Sequence, residues 1–460
     1  MRRIIQLLCN FTEKTVGIFA NRTFSGGIHP AAHKQQSAAV PIEPCPTPPV
    51  VIIPVQQHIG APSKPIVEKG AVVKAGEPIS ESGGFVSVPA HSSVSGVVQA
   101  IEKRPHPSGL NVLSIVIEND GLQTPAAAFE YEENYLQCDK KEMLRRIQAA
   151  GIAGLGGATF PTHVKLNPPP DKKIDTFILN GAECEPYLTA DHRLMVESPE
   201  KILRGMEIIV KLLNVKNAMI GIEHNKPDAI KILRQKIAEL GLPYKVHGLH
   251  VKYPQGAEKQ LIKALTNRSV PAGGLPMDVG CVVQNVATAV AVYDAVAFQR
   301  PLTHRIVTVT GEGIKEPKNL LVPIGTPFSF VFEYCGGVPQ NAAKIIMGGP
   351  MMGLAQGNLD APVIKGTSGL LVLSDHSNHR YGETNCISCA HCIDVCPMGL
   401  MPKMLATWVK HERWQDAKEY HALDCIECGS CSFVCPAHIN LVHHIKYGKY
   451  RVIQTQKKAG

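Results

Sequence analysis

Apolar and polar positions along the chain change their period several times, and each change marks a different kind of structure. From Val50 to about Gly121 the apolar residues come in short β-type runs: Val50–Val55, Ala71–Lys74, Val86–Pro89, Ser95–Ile101 and Leu113–Glu118, separated by Gly and Pro. Such runs, with turn residues between them, predict a small all-β barrel or sandwich. From about residue 140 the period lengthens. Lys140–Ala150 is helical in spacing, Asp175–Asn180 reads as a strand, and Pro199–Leu213 puts Ile202, Met206, Ile209 and Leu213 on one helical face. Ala218–Glu223 is the next strand and Asp228–Leu240 the next helix, stopped by Gly241. Strands alternating with helices of this length predict a parallel α/β sheet. Residues 305–373 return to β signals, with Ile306–Thr310 the clearest strand and Gly pairs at 336–337 and 348–349 as turns. A cysteine-rich stretch follows Asp375. Its linker, Met398–Asp424, carries Leu405, Trp408, Val409, Ala417 and Tyr420 at helical spacing.

Composition narrows the picture. A chain of 460 residues holds roughly three domains at about 150 residues each. Its 40 Gly and 35 Pro favour turn-rich β modules beside an α/β domain. The net charge of +8 is spread along the chain without a long Lys/Arg block. That argues against a nucleic-acid reader and for an acidic docking partner or phosphorylated cofactors. Cys281–Phe298 is the best candidate for a membrane span, but it contains Gln284, Asn285 and Asp294 and reads as a buried helix. At the start, Glu13 and Lys14 interrupt the apolar run after Met1-Arg2-Arg3, so no secretory signal is expected. Residues 1–22 read as an extension or as a start placed too early. Eight of the 14 cysteines lie between Cys386 and Cys435 and the rest are scattered singly, which favours metal ligation in a reducing compartment over disulfides.

The cysteine motifs decide the C-terminal chemistry. Cys386-Ile-Ser-Cys389-Ala-His-Cys392-Ile-Asp-Val-Cys396-Pro397 and Cys425-Ile-Glu-Cys428-Gly-Ser-Cys431-Ser-Phe-Val-Cys435-Pro436 both have the spacing of bacterial ferredoxins. Two-residue gaps let three thiolates reach three irons of one cubane, while the displaced fourth cysteine reaches the other cluster. Cys386, Cys389, Cys392 and Cys435 are therefore expected to hold one 4Fe–4S cluster. Cys425, Cys428, Cys431 and Cys396 are expected to hold the second. Zinc ribbons, built from two CxxC pairs, match this spacing poorly. His391, inside the first motif, and His376, His379, His443 and His444 read as solvated residues with no metal.

The α/β region carries a second set of candidates. Gly154-Leu-Gly156-Gly157-Ala158-Thr-Phe160-Pro161-Thr-His-Val-Lys165 offers glycines that let backbone N–H groups approach a phosphate, with Lys165 as a positive charge. A tight turn is the alternative, since the strict dinucleotide fingerprint is missing. Asn180-Gly-Ala-Glu183-Cys184-Glu185-Pro186-Tyr187 follows a strand, where ligands of open α/β sheets bind. Its two acids can bond a nicotinamide amide or ribose hydroxyls, or be a solvated acidic turn. Cys184 reads as a small buried residue rather than a reactive thiol. Gln284-Asn285-Val-Ala-Thr288 offers amide and hydroxyl groups at a helix start, with an ordinary cap as the alternative.

These segments carry resemblances. Val67-Glu-Lys-Gly70, Ala75-Gly-Glu-Pro-Ile79 and Val88-Pro-Ala with Ser95-Gly-Val resemble the barrel-sandwich hybrid of lipoyl and biotinyl domains. Gly84 stands where those domains carry an acceptor lysine, so a scaffold without a swinging arm is expected. The α/β region is similar to the NADH-binding flavoprotein subunit of respiratory complex I. Gly156-Gly-Ala-Thr-Phe160-Pro-Thr162 and Asn285-Val-Ala-Thr288 match its FMN segments; Glu183-Cys-Glu185-Pro186 and Tyr253-Pro-Gln-Gly256-Ala-Glu258 match those beside the nicotinamide nucleotide. The resemblance implies FMN and NAD(H) contacts from Gly154, Gly156, Gly157, Ala158, Phe160, Lys165, Asn180, Glu183, Glu185, Tyr253, Gly256, Glu258, Asn285 and Thr288, with no catalytic acid or base. Thr159, Ala257 and Ala287 depart from that family's residues, and they bear on NADH more than on FMN.

From Phe24-Ser-Gly-Gly-Ile-His-Pro30 through Gln56-Gln-His-Ile-Gly-Ala-Pro62 and Met347-Gly-Gly-Pro-Met-Met-Gly353 to the second cysteine motif, the whole chain resembles the C subunit of Rnf electron-transport complexes. The fold expected is multidomain. Residues 1–48 are an extension and lead-in, and 49–125 a barrel-sandwich hybrid. Residues 126–304 form a Rossmann-like FMN/NADH-binding α/β domain, 305–373 a soluble-ligand-binding β-grasp domain, and 374–460 an α-helical two-cluster ferredoxin domain. A flavin links two-electron hydride chemistry to one-electron clusters. The resemblance implies a peripheral subunit on the cytoplasmic face of a bacterial membrane. It would pass electrons between NADH, FMN, two 4Fe–4S clusters, an iron–sulfur partner subunit and, indirectly, ferredoxin. It would meet the membrane only through partner subunits that pump Na+ or H+. Two other readings stay open: an electron-transfer protein feeding a soluble reductase, such as an amino-acid reductase, without pumping, and a cluster-bearing docking subunit with no nucleotide site.

Overall fold

The computed structural model describes residues 22–338, 342–375 and 382–459. The expectations for residues 1–21, His376 and His379 lie outside these residues. The first β unit is a four-stranded antiparallel sheet in the order Val50–Pro54, Asn111–Asn119, Gly96–Pro105, Val72–Val73, with a two-stranded piece formed by Lys64–Pro65 and Ser80–Glu81. Alternation puts Val51, Ile53, Val98, Ile115 and Ile117 inside, where all five are almost fully buried. The run Val86–Pro89, expected as a strand, is irregular. The N–H and carbonyl of Val88 both lie 3.2 Å from His58 Nε2, which bonds one or the other according to its tautomer, so a side chain takes a group a ladder would use.

A four-stranded, fully parallel sheet follows, ordered Lys245–Leu249, Asn217–Glu223, Thr176–Asn180, Cys281–Asn285. Helix Pro199–Leu213 lies so close to helix Val286–Ala297 that a Cβ on Gly205 would stand 1.9 Å from the Ala289 carbonyl oxygen. Only glycine permits that approach. The apolar run expected as one buried helix from Cys281 to Phe298 is in fact two elements. Cys281–Asn285 is a strand paired with Thr176–Asn180, and the helix starts at Val286. Asn285 makes the break: its side chain accepts the Ala287 N–H at 2.8 Å, an N-cap that ends the strand and begins the helix.

The third unit is a mixed six-stranded sheet, ordered Ile42–Pro44, Lys318–Pro323, His304–Thr310, Gly369–Ser374, Ala342–Met347, Leu354–Ala355, with helix Phe328–Tyr334 against its core. Its outer strand comes from the stretch expected to be a lead-in, as Ile42–Pro44 runs parallel to Asn319–Leu321. Ile28, further back in that stretch, bridges Tyr253. The cysteine-rich part is built from helices Pro402–Lys410, Trp414–Glu419 and Leu441–Ala459, packed through Leu405, Val409, Ala417, Ile445 and Val452. No helix among the described residues is long and apolar enough to cross a membrane.

Candidate functional site

The two cysteine motifs fold alike. Each has left-handed backbone at its third and fifth positions: Ser388 and Ala390 at φ 58° and 64°, Glu427 and Gly429 at 58° and 78°. Three of these four are not glycine, and such residues cost of order 1–3 kcal/mol each, strain that persists only where the surroundings impose it. The curl brings backbone donors to sulfur. The N–H groups of Ser388, Glu427 and Leu400 lie 3.4, 3.4 and 3.3 Å from the sulfurs of Cys386, Cys425 and Cys396. Donors of this kind tune cluster potentials.

The last cysteine of each motif lies near sulfurs of the other motif. Cys392 feels the charges of Cys389 and Cys435, while Cys425, Cys428 and Cys431 all feel Cys396. Burial first, then neighbouring thiols, push Cys425 up to about 11 and Cys431 up to about 12. A quartet of two buried and two part-buried thiols, whose thiolates would repel one another, suits a polynuclear cation that stabilises all four as thiolates. Among the described residues no three His, Cys, Asp or Glu side chains converge as the ligands of one ion do; ligands of a cubane stand around a larger group. The quartets differ in exposure. Cys386 and Cys389 are exposed, whereas Cys428 and Cys431 are buried.

In the α/β sheet, Asn180 and Asn285 end adjacent parallel strands. Asn180 donates to the Gly256 carbonyl at 2.8 Å and accepts the Ala182 N–H at 3.1 Å; Asn285 donates to Asp191 at 2.6 Å. The loop from Gly154 to Phe160 is pinned beside them, with Leu155 N–H donating to Thr288 Oγ1 at 2.9 Å and Gly154 N–H to the Phe160 carbonyl at 2.9 Å. A Cβ on Gly156 would stand 3.0 Å from the Asn285 Cβ, whereas one on Gly157, at φ 115°, would meet nothing within 4 Å. Gly156, Gly157 and Ala158 are exposed. The result is a shallow cradle of backbone at the carboxyl ends of the strands, open on the Gly157 side. Near it, Gln255 is fully buried and neither of its amide atoms has a protein partner.

Several expected contacts have other partners. Lys165, expected to face phosphate, pairs with Glu258 at 2.5 Å, both partly exposed. Glu183 and Glu185, expected to bond nicotinamide or ribose, bind backbone instead. Glu183 accepts the N–H groups of Asp191 and His192 at 2.7 and 3.2 Å, at the start of helix Ala190–Glu197. Glu185 accepts those of Met351 and Met352 at 3.1 and 2.9 Å. Burial raises both carboxyls to about 7. Tyr253 is buried, and its hydroxyl donates to the Cys428 carbonyl at 2.8 Å. Cys184 accepts the Gly256 N–H at 3.2 Å, and burial lifts its thiol far above the usual range, so it is packing rather than a nucleophile. Ile28, Tyr253 and Cys428, with Cys184, Met351, Val395, Ile426 and Val434 around them, form one apolar cluster joining cradle to cysteine loop.

The C subunit of the proton-translocating ferredoxin:NAD(+) oxidoreductase complex of Clostridium ljungdahlii is 52% identical over 429 residues, covering 93% of this chain and 93% of its own. The C subunit of the Na(+)-translocating ferredoxin:NAD(+) oxidoreductase complex of Acetobacterium woodii is 48% identical over 436 residues, covering 95% and 98%. The chain belongs to the Rnf C-subunit family. A third relative, the C subunit of the ion-translocating oxidoreductase complex of Rhodobacter capsulatus, is 42% identical over 437 residues and covers 94% and 84%. The parts agree with the whole. Residues 22–122 match the RnfC barrel sandwich hybrid domain, 147–294 the Nuo51 FMN-binding domain, 306–355 the SLBB domain and 380–439 the 4Fe-4S dicluster domain. This Rnf-family chain thus has an FMN-binding domain and a two-cluster iron–sulfur domain.

Some residues that build the Rnf-family site escaped the sequence reading. Lys34, nearly buried, donates to the carbonyls of Glu183 and Glu185 at 3.0 Å each and also to that of Leu188. Lys226, fully buried, donates to the Ala182 carbonyl at 2.7 Å and pairs with Glu223 at 3.3 Å. Two lysines thus hold the Glu183–Glu185 turn in shape. A lone lysine in a Pro-rich stretch gives no signal. The Met347–Gly353 segment did, as part of the family resemblance, but without a stated role.

Proposed function

We propose that this chain is the peripheral electron-transfer subunit of a membrane-bound, ion-translocating ferredoxin:NAD+ oxidoreductase. It exchanges electrons between NAD(H) and an iron–sulfur partner subunit by way of FMN and two 4Fe–4S clusters. It sits on the cytoplasmic face of the membrane and meets ferredoxin only indirectly. The parallel sheet is read as Rossmann-like and the six-stranded sheet as β-grasp. The observation that carries the proposal is the join between the backbone cradle and the buried cysteine loop through Tyr253 and Cys428.

In this reading Gly154, Gly156, Gly157, Ala158, Phe160, Asn180, Asn285 and Thr288 hold FMN. Lys165 and Glu258 are a salt bridge that opens toward phosphate on one side and ribose on the other. Gly256 lies beside the nicotinamide nucleotide. Glu183, Glu185 and Tyr253 act from behind, by fixing the turns they bind. When bound, FMN supplies the conversion between hydride and single electrons. The protein supplies orientation, which needs no side-chain acid or base. Cys386, Cys389, Cys392 and Cys435 hold the outer cluster, and Cys425, Cys428, Cys431 and Cys396 the inner one. The Cys396 end of the first motif packs on the α/β domain and on the lead-in, where Gln260 donates to the Pro397 carbonyl at 3.2 Å and Gly27 N–H to the Val395 carbonyl at 2.8 Å. The exposed Cys386–Cys389 loop, with Ile387 68% exposed, faces the next carrier.

The test is anaerobic NADH titration of the purified chain, followed by flavin absorbance and low-temperature paramagnetic resonance. Bleached flavin with reduced-cluster signals is the expected result. Clusters that reduce with dithionite but not with NADH, without bound flavin, would leave a docking subunit instead.

A further inference from the structure

At the far end of the α/β sheet from the cradle, four basic side chains meet. Arg22, Arg234, Lys245 and His247 line a cavity of about 350 Å³ together with Ile237, Tyr244 and Val246. Lys245 and His247 lie where the edge strand Lys245–Leu249 begins, whereas Asn180 and Asn285 lie where their strands end. Arg234 reaches across from helix Pro227–Glu239 and donates to the Val246 carbonyl at 3.0 Å, which fixes its guanidinium over the strand. Among the described residues no acid lines the cavity. Glu207, whose charge reaches Tyr244, is taken by Arg204 at 2.9 Å. Burial first, then Arg22, Lys245 and Arg234, push the His247 imidazole down to about 4, so it is neutral near pH 7. Arg22, Arg234 and Lys245 thus line one concavity without an acid among its described lining residues, an arrangement that attracts an anion.

We propose that this cavity binds a phosphate group. Two guanidinium forks and an ammonium match a tetrahedral dianion better than a single carboxylate, and a neutral imidazole adds one donor or acceptor at its edge. The phosphate is carried either by a small soluble molecule or by an anionic lipid headgroup. The second source would tether a chain without a membrane-crossing helix among its described residues directly to the bilayer surface. The site is independent of the nucleotide reading, since none of its residues belongs to the cradle.

The test uses the full chain with its cofactors. Inorganic phosphate should raise its melting temperature above that seen in chloride at equal ionic strength, and vesicles containing phosphatidylglycerol, but not phosphatidylcholine alone, should co-sediment with it if the source is lipid. In Arg234→Gln/Lys245→Gln, phosphate affinity should fall about tenfold or more, as expected for lost charge-assisted hydrogen bonds, with flavin and cluster content unchanged. Arg22→Gln gives the same reading should the double variant fail to fold. Phosphate stabilisation without vesicle binding assigns a soluble ligand, and both together assign a headgroup. The proposal is overturned if wild type and variants respond alike to phosphate and to vesicles.

Discussion

Cys396 stands in the first motif, yet its thiol faces Cys425, Cys428 and Cys431. Cys396→Ser should therefore abolish or distort the inner cluster's paramagnetic signal while the outer cluster keeps most of its intensity. Selective loss of the outer signal would overturn the crossed assignment. Gly157 makes the complementary case. A Cβ there would meet no protein atom within 4 Å, although its φ of 115° strains any other residue. Gly157→Trp should lower bound FMN about tenfold or more, the effect of losing ~1.4 kcal/mol of binding, with iron content intact. Retained flavin would refute this loop's role. These residues were readable from sequence because cubane spacing and glycine-rich turns are local. Glu183 and Glu185 were singled out as nucleotide contacts, and the backbone partners they have were not foreseen. The N–H groups that satisfy Glu185 lie 166 and 167 residues further on, and no local pattern records that.

At the scale of elements, periodicity located most helices and strands, and it failed where one apolar run spans two of them. Cys281–Phe298 reads as one buried helix, and only the cap at Asn285 separates strand from helix. The lead-in failed for a different reason. A three-residue strand such as Ile42–Pro44 has too little length for a period, and its partner begins 277 residues later at Asn319. Tyr253 shows what such distant contacts do. Its hydroxyl ties the inner cysteine loop to the α/β domain through a single hydrogen bond of 2.8 Å. Tyr253→Phe should cost about 1 kcal/mol, the usual net worth of such a bond. It should raise amide hydrogen exchange in residues 425–431 while leaving both clusters assembled. Unchanged exchange there would mean that the apolar packing alone holds the loop.

At the scale of the whole molecule, one buried lysine of the six-stranded unit bonds to both of the other N-terminal units. Lys365 is 1% exposed. It donates to the Pro89 carbonyl of the first β unit at 2.8 Å and to the Gly151 carbonyl of the α/β unit at 2.7 Å, while its own N–H bonds Gln57 at 3.1 Å. None of these partners is an acid, and the titratable side chains beside it, His91 and His58, are both held below the ordinary histidine value by burial. Burial alone holds the Lys365 ammonium down to about 7, against an ordinary lysine value near about 10.4. Between those values the unfolded chain binds more protons than the folded one, so stability rises with pH; below them both states are protonated and the contribution is constant. His91, which burial and Lys365 hold down to about 3, adds a separate loss of stability as pH falls below about 6.5. From pH 7 to 10 the unfolding midpoint of the wild-type chain should therefore rise relative to that of Lys365→Met, which lacks the group that titrates. Midpoints measured across this range for both proteins decide the matter. Parallel curves would show that Lys365 keeps its proton in the fold, stabilised by the two carbonyls that clamp the units together.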